Sequence, residues 1–246
     1  MKFPMISEGL PFVDTRQMIE VDRAMIEDYH IDLIQMMENA GRNLAHLARQ
    51  RFLKGDPRGQ KVVVLAGTGG NGGGALAGAR RLHNYGADVR VFLTKADNDF
   101  APVPGHQLDT LRRMNVPVDL SEKLENAGSA DLIIDGIIGY SLRGEPRGSA
   151  ATLIQWANSR SVPILALDAP SGLDTTTGTV YEPAIRATAT MTLALPKAGL
   201  LSDQGLLQVG ELYLADISVP PELYASPALN IPVGPIFAAS DIVRVR

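Results

Sequence analysis

Two hydrophobic periods alternate along the chain. Near the N-terminus Met18, Val21, Met25 and Ile26 recur at the three-to-four spacing of one helical face, and Asp14 or Thr15 stands where an N-cap belongs. A second helical stripe spans about 31–52. Leu33, Met36, Met37, Ala40, Leu44, Leu47 and Ala48 share one face, while Gln35, Glu38, Asn39, Arg42 and Arg49 fall mostly off it. The methionines in that stripe read as core packing. Gly55-Asp-Pro-Arg-Gly59 ends the pattern.

Beyond Gln60 the period changes. Lys61-Val-Val-Val-Leu-Ala66 is a continuous apolar run of strand length, the mark of a strand buried on both faces. A glycine-rich turn follows, then a helix over about 75–85 closed by Gly86, then a strand over 88–93, together a βαβ unit. Further helices are predicted near 106–114 and 150–159, and strands near 116–118, 131–134, 162–167, 187–195 and 211–215. This alternation predicts an α/β fold with a mostly parallel sheet covered on both faces. Nothing in the pattern marks a repeat or a linker. The expectation is a single domain over 1–246, with an N-terminal lead over about 1–15 and a C-terminal tail over 221–246 packing on it.

Composition narrows the chemistry. The 246 residues are 45% apolar, enough for a sizeable core. Lys and Arg number 23 against 27 Asp and Glu, a net charge of −4, which argues against a nucleic-acid surface or a polybasic membrane patch. Cysteine is absent, which excludes disulfides, thiolate metal sites and a cysteine nucleophile, and fits a reducing compartment. No apolar run approaches the roughly 18 residues of a membrane span, and Pro4 and Glu8 interrupt the segment where a signal peptide needs an apolar core. A cytoplasmic protein without nucleic-acid or membrane partners is expected.

In open parallel sheets ligands bind beyond the carboxyl ends of the strands, so the loops there hold the candidate chemistry. Gly67-Thr-Gly-Gly-Asn-Gly-Gly-Gly74 follows the first strand and leads into a helix, a turn through which backbone amides approach an anion. Asp135-Gly-Ile-Ile-Gly-Tyr-Ser-Leu-Arg-Gly144 follows the strand at 131–134, and Asp168-Ala-Pro-Ser-Gly172 the strand ending at Leu167. Gly67-x-Gly69-x-x-Gly72 matches the dinucleotide fingerprint, yet the second strand ends Phe92-Leu-Thr-Lys95 and lacks the acidic residue an ordinary dehydrogenase uses for ribose. Plainer roles stay open: Asp135 and Asp168 as helix caps or turn residues, Lys95 as a solvated loop lysine. His30, His46, His83 and His106 have no metal-ligand spacing, and Trp156 reads as core.

These motifs together resemble the NAD(P)H-hydrate epimerase family, the YjeF N-terminal domain, from about 17 to 220. Met36-Met-Glu-Asn-Ala-Gly41, the glycine loop, Asp135-Gly-Ile-Ile-Gly139 with Leu142, Gly144 and Arg147-Gly148, Leu167-Asp-Ala-Pro-Ser-Gly-Leu-Asp174 with Thr177-Gly178, Pro196-Lys-Ala-Gly-Leu200 and Gly210-Glu-Leu212 stand in the family's order. The resemblance implies a three-layer α/β/α Rossmann-like fold and a homodimer. It implies interconversion of the R and S forms of hydrated NADH and NADPH, coupled to a separate dehydratase in cofactor repair, by a stand-alone protein. It implies one K+ per subunit with Asn71, Asp135 and Ser171 as side-chain ligands. It also implies substrate contacts from Gly70, Asn71, Gly72, Gly73 and Gly74, from Gly139, Tyr140, Ser141, Leu142, Arg143, Gly144 and Glu145, and from Asp168. Lys95 lies near a lysine implicated in some members, and is carried as catalytic with Asp135. Inverting a carbon that bears a hydroxyl beside nitrogen needs proton transfer at oxygen, which a placed carboxylate supplies, and Asp135 is the candidate.

Two segments depart from the family's pattern. The glycine loop usually reads Asn-Asn-Gly-Gly-Asp-Gly, and here Gly70, Gly74 and Ala75 replace the first Asn, the Asp and the last Gly. Tyr140-Ser141 stands where a Thr-Gly pair is common. The alternative reading is therefore a non-catalytic nucleotide-binding or scaffold protein on the same fold, resting on Gly74.

Overall fold

The apolar runs become the strands of one sheet. A computed structural model of the chain describes residues 3–6 and 9–246; Met1, Lys2, Ser7 and Glu8, part of the expected lead, lie outside the described residues. Strands β1 (Lys61–Ala66), β2 (Asp88–Leu93), β3 (Val118–Leu120), β4 (Leu132–Gly136), β5 (Ile164–Leu167), β6 (Ala189–Leu193), β7 (Glu211–Ala215) and β8 (Ile242–Arg244) form one sheet in the order β3-β2-β1-β4-β5-β6-β7-β8. All neighbouring pairs are parallel except β7 with β8.

Alternation along β1 sorts the layers. Val62, Val64 and Ala66 pack with Leu44, Leu47, Leu76 and Leu108 in one core, while Val63 and Leu65 pack with Phe92, Leu153 and Ile154 in another. Helices α2 (Leu33–Arg51), α3 (Gly70–Asn84) and α4 (Pro102–Arg113) supply the first layer, and α5 (Ser149–Asn158) the opposite one. This is the expected three-layer α/β/α, Rossmann-like fold. Helix α1 (Thr15–Glu27) is capped by Asp14, which accepts from the Gln17 N–H while Gln17 accepts from the Asp14 N–H. It buries Met18, Val21 and Met25 over the strand ends with α7 (Pro221–Tyr224) and Ile217, closing that end of the sheet.

Where boundaries differ from the pattern, three have a clear physical cause. Helix α3 begins at Gly70, not near 75, because glycines 72–74 form its first turns and let α2 and the neighbouring strands approach. Packing overrides the low helix propensity of glycine there. The short strand is at Val118–Leu120, because Pro117 has no N–H for the ladder and contributes only its carbonyl, to Val91 N at 2.9 Å. Helix α4 starts at Pro102, whose fixed φ suits a first turn. Strand β8 and the short helices α6 (Asp203–Val209) and α7 carried too few periods to be seen.

Candidate functional site

The strand order reverses between β1 and β4, the switch point at which doubly wound sheets bind ligands. The chain is drawn tight there. Gly67 N–H donates to the Gly136 carbonyl at 3.1 Å, and a Cβ on Gly67 would collide with the Ile137 carbonyl. Two cavities open beyond these strand ends, an inner one of about 340 Å³ and an outer one of about 540 Å³. Gly70, Asn71, Gly139 and Ser141 line both.

Apolar side chains from α1 and α2 (Met18, Leu33, Met36, Met37) wall the inner cavity, and six polar residues line it: Asp22, Asn71, Tyr140, Ser141, Asp168 and Lys197. Asp168 sits just past β5 with φ at +66°, a left-handed conformation that aspartate tolerates better than most residues. Its Oδ1 pairs with Lys197 Nζ at 2.5 Å, and its Oδ2 accepts from Tyr140 N–H at 2.9 Å. Lys197 also donates to Thr192 Oγ1 at 3.2 Å and the Leu193 carbonyl at 2.8 Å. The Tyr140 hydroxyl donates to Asp22 Oδ2 at 2.5 Å, tying α1 to the loop after β4. Burial raises the Asp22 carboxyl above its usual range, against the hydrogen bond from Tyr140. Burial, then the Asp22 charge, pushes the Tyr140 hydroxyl up.

Asp135 lies behind this cavity. It is fully buried and lines neither space. Its Oδ1 accepts from Ser171 Oγ at 2.6 Å and Ile137 N–H at 3.2 Å, and its Oδ2 from Ser171 N–H at 2.8 Å. Burial pushes its carboxyl up to about 6, although all three hydrogen bonds favour the charged form. Ser171 Oγ also accepts from Ile138 N–H at 2.9 Å, so Asp135 and Ser171 join the loops after β4 and β5. Both atoms of the Asn71 amide are buried without a hydrogen-bond partner, and a Cβ on Gly139 would meet both Asn71 Cγ, at 3.2 Å, and Asp168 Oδ2, at 2.9 Å. An orphaned amide oxygen, with the Asp135 carboxylate at the end of β4 and the Ser171 hydroxyl on the loop after β5, supplies the hard-oxygen chemistry that an alkali cation takes, so these residue types fit the implied potassium ion. Among the described residues no group of three or more His, Asp or Glu could hold a metal.

The outer cavity gathers the N-termini of α3 and α5 with Lys95 and Arg147. Lys95 is exposed there, away from the inner cavity. Of the glycine segment, Gly70, Asn71 and Gly74 line the inner cavity. Gly72 and Gly73 do not: a Cβ on Gly72 would collide with the Gly67 carbonyl, and one on Gly73 would lie 2.5 Å from Met37 Sδ. Their role is close packing rather than a wall. Of the loop at 139–145, Gly139, Tyr140 and Ser141 reach the inner cavity, while Leu142, Arg143, Gly144 and Glu145 line neither. Sequence reasoning missed Lys197 and Asp22. Lys197 stands in Pro196-Lys-Ala-Gly-Leu200, where a lysine set in an apolar run is the available signal. Asp22, on the flank of an amphipathic helix, carried none.

The YjeF-related protein N-terminus matches residues 33–199. The chain belongs to this family. Among YjeF relatives, a protein of Dehalogenimonas lykanthroporepellens named NAD(P)H-hydrate epimerase is 42% identical over 93% of this chain and 90% of its own length. A protein of Moorella thermoacetica named bifunctional NAD(P)H-hydrate repair enzyme is 34% identical over 89% of this chain but 42% of its own length, so the chain spans less than half of that relative. The crystal structure of a yeast protein superposes with a TM-score of 0.79 at 25% identity, covering 96% of this chain and all of the yeast chain.

Proposed function

We infer that this YjeF chain epimerises the R and S forms of hydrated NADH and NADPH. The observation that carries the reading is the convergence of Asn71, Tyr140, Asp168 and Lys197 on one cavity at the switch point, in a chain 42% identical to an epimerase over nearly its whole length. The names of the relatives favour an enzyme over a scaffold, and Gly74 leaves the cavity open rather than filled.

The substrate carries a hydroxyl on the ring carbon beside nitrogen. Inversion by this route protonates that oxygen and breaks the carbon–oxygen bond as the ring nitrogen lone pair moves in. Water then adds from the opposite face and returns a proton. Asp168, facing the cavity beside Lys197, is the carboxylate placed to move that proton. Asp135, the earlier candidate, acts as a positioning residue that joins two loops through Ser171. The α3 and α5 N-termini with Lys95 and Arg147 suit the substrate's phosphates. Asn71, Asp135 and Ser171 would hold potassium, which when bound offsets negative charge and fixes the loops. A homodimer, a cytoplasmic setting and coupling to a dehydratase specific for one epimer complete the proposal.

A racemisation assay on purified R-form hydrate, coupled to an S-specific dehydratase, tests the reading. The wild-type chain should exceed the spontaneous rate, and Asp168→Asn should lose most of the excess. A rate equal to the uncatalysed one overturns it.

A further inference from the structure

The polar atoms of the inner cavity have unequal capacity left for a ligand. Lys197 spends its three N–H groups on Asp168, Thr192 and the Leu193 carbonyl. Asp168 accepts from Lys197 at one oxygen and from Tyr140 N–H at the other, and its remaining lone pairs are those assigned above to the reacting hydroxyl. The Asn71 amide is buried without a partner and is accounted for by the cation reading above. Asp22 is different. Its Oδ2 accepts from the Tyr140 hydroxyl, and its Oδ1 has no hydrogen-bond partner among the described residues. Across the cavity, Gly74 contributes no side chain, and a Cβ there would lie 3.0 Å from Leu167 Cδ2, so this wall offers no competing acceptor.

Tyr140 fixes where Asp22 points. Its N–H is held by Asp168, its carbonyl accepts from Thr15 Oγ1 and Thr175 Oγ1 at 3.4 Å each, and its hydroxyl reaches Asp22. A bulky ring anchored at backbone and hydroxyl sets the neighbouring carboxylate in one orientation over an otherwise apolar wall.

We propose that Asp22 is a substrate-contacting residue whose Oδ1 accepts an N–H or O–H of the hydrated nicotinamide ring, and that Tyr140 is its positioning residue. The inference rests on the epimerase reading and adds a recognition element from α1. A hydrated ring is a neutral, puckered ring carrying donors on its carboxamide and hydroxyl. An oriented Asp22 carboxylate on the apolar α1 wall, apart from the Asp168–Lys197 pair, matches that chemistry. A site built to accept a donor discriminates against ligands that lack it.

The experiment compares wild type, Asp22→Asn and Tyr140→Phe. For each, kcat and KM are measured on the R-form hydrate of NADPH, with equilibrium affinity for that hydrate and for ADP-ribose, which has no nicotinamide ring. Asp22→Asn should weaken hydrate affinity about tenfold or more, with ADP-ribose affinity unchanged. Tyr140→Phe should follow in the same direction with a smaller loss. Unchanged hydrate affinity in Asp22→Asn overturns the proposal, as does a parallel loss for ADP-ribose, which would mark a structural role. A wild-type chain that binds the hydrate without turning it over defeats the epimerase reading instead, and the affinity comparison still decides on Asp22.

Discussion

Lys197 Nζ lies 2.5 Å from Asp168 Oδ1, and neither side chain reaches solvent to any extent, at 0% and 5% exposure. The two residues follow adjacent parallel strands, β6 and β5, so the pair bridges strand ends at the cavity. Removing one partner leaves an uncompensated charge in a dry site. Lys197→Met should therefore cost about 3–5 kcal/mol of stability by urea unfolding. The double variant Lys197→Met/Asp168→Asn should recover much of that loss while staying inactive. Additive losses in the double variant would show that the two charges do not compensate one another.

Gly41 allows α2 and α3 to meet. A Cβ there would lie 2.5 Å from Ala77 Cβ and 2.7 Å from Gly78 N, and backbone cannot yield as a flexible side chain does. Gly41→Ala should destabilise by about 1–3 kcal/mol through overpacking, despite the better helix propensity of alanine. Since α3 carries Asn71 into the cavity, hydrate KM should rise as well. A variant as stable as wild type would show that the helices separate at little cost.

Much of this architecture was legible because it rests on local period. The runs at 61–66, 88–93 and 211–215 are strands whose ends match the pattern, since continuous apolar residues suit nothing else in a sheet covered on both faces. Three loops with glycine or aspartate after strands lie at the strand ends where the two cavities open. Glycines 72–74 were misplaced as loop because intrinsic propensity speaks against a helix, and the tertiary approach that reverses it is invisible locally. Asp135 and Asp168 looked equivalent in sequence. They differ because the Ser171 N–H and hydroxyl claim one behind the cavity, while Lys197, 29 residues away, holds the other on its wall. Asp22 meets Tyr140 across 118 residues, a pairing that no spacing rule reaches.

Glu211 supplies a pH dependence. The Arg51 guanidinium, bonded to both its oxygens at 2.9 Å, holds its carboxyl down to about 2 from a usual 4.5. A depressed native value stabilises above the unfolded pKa and is lost as pH falls from about 4.5 toward 2. The pair is partly exposed and water screens it, so the contribution is less than about 1 kcal/mol. Arg51→Ala should flatten the acid limb of a stability–pH curve by that amount and leave stability above pH 6 nearly parallel to wild type. An unchanged acid limb would mean the ion pair does not persist in solution.

The orphaned Asn71 amide leads to a prediction about ions. A cation that binds the native state alone stabilises it by RT ln(1 + [L]/Kd), about 2.7 kcal/mol at a hundredfold excess over Kd. Thermal unfolding should therefore shift upward when potassium chloride replaces choline chloride at constant ionic strength, with no substrate present. Asn71→Ala should abolish the shift, because it removes the side-chain oxygen that is buried without a partner. Asp135→Asn should weaken it, through loss of the charge beside Ser171. The constant ionic strength separates a bound ion from general screening, which would move all three proteins together. Equal melting temperatures in the two salts for the wild-type chain would remove potassium from this site and leave Asn71 free to contact the substrate directly.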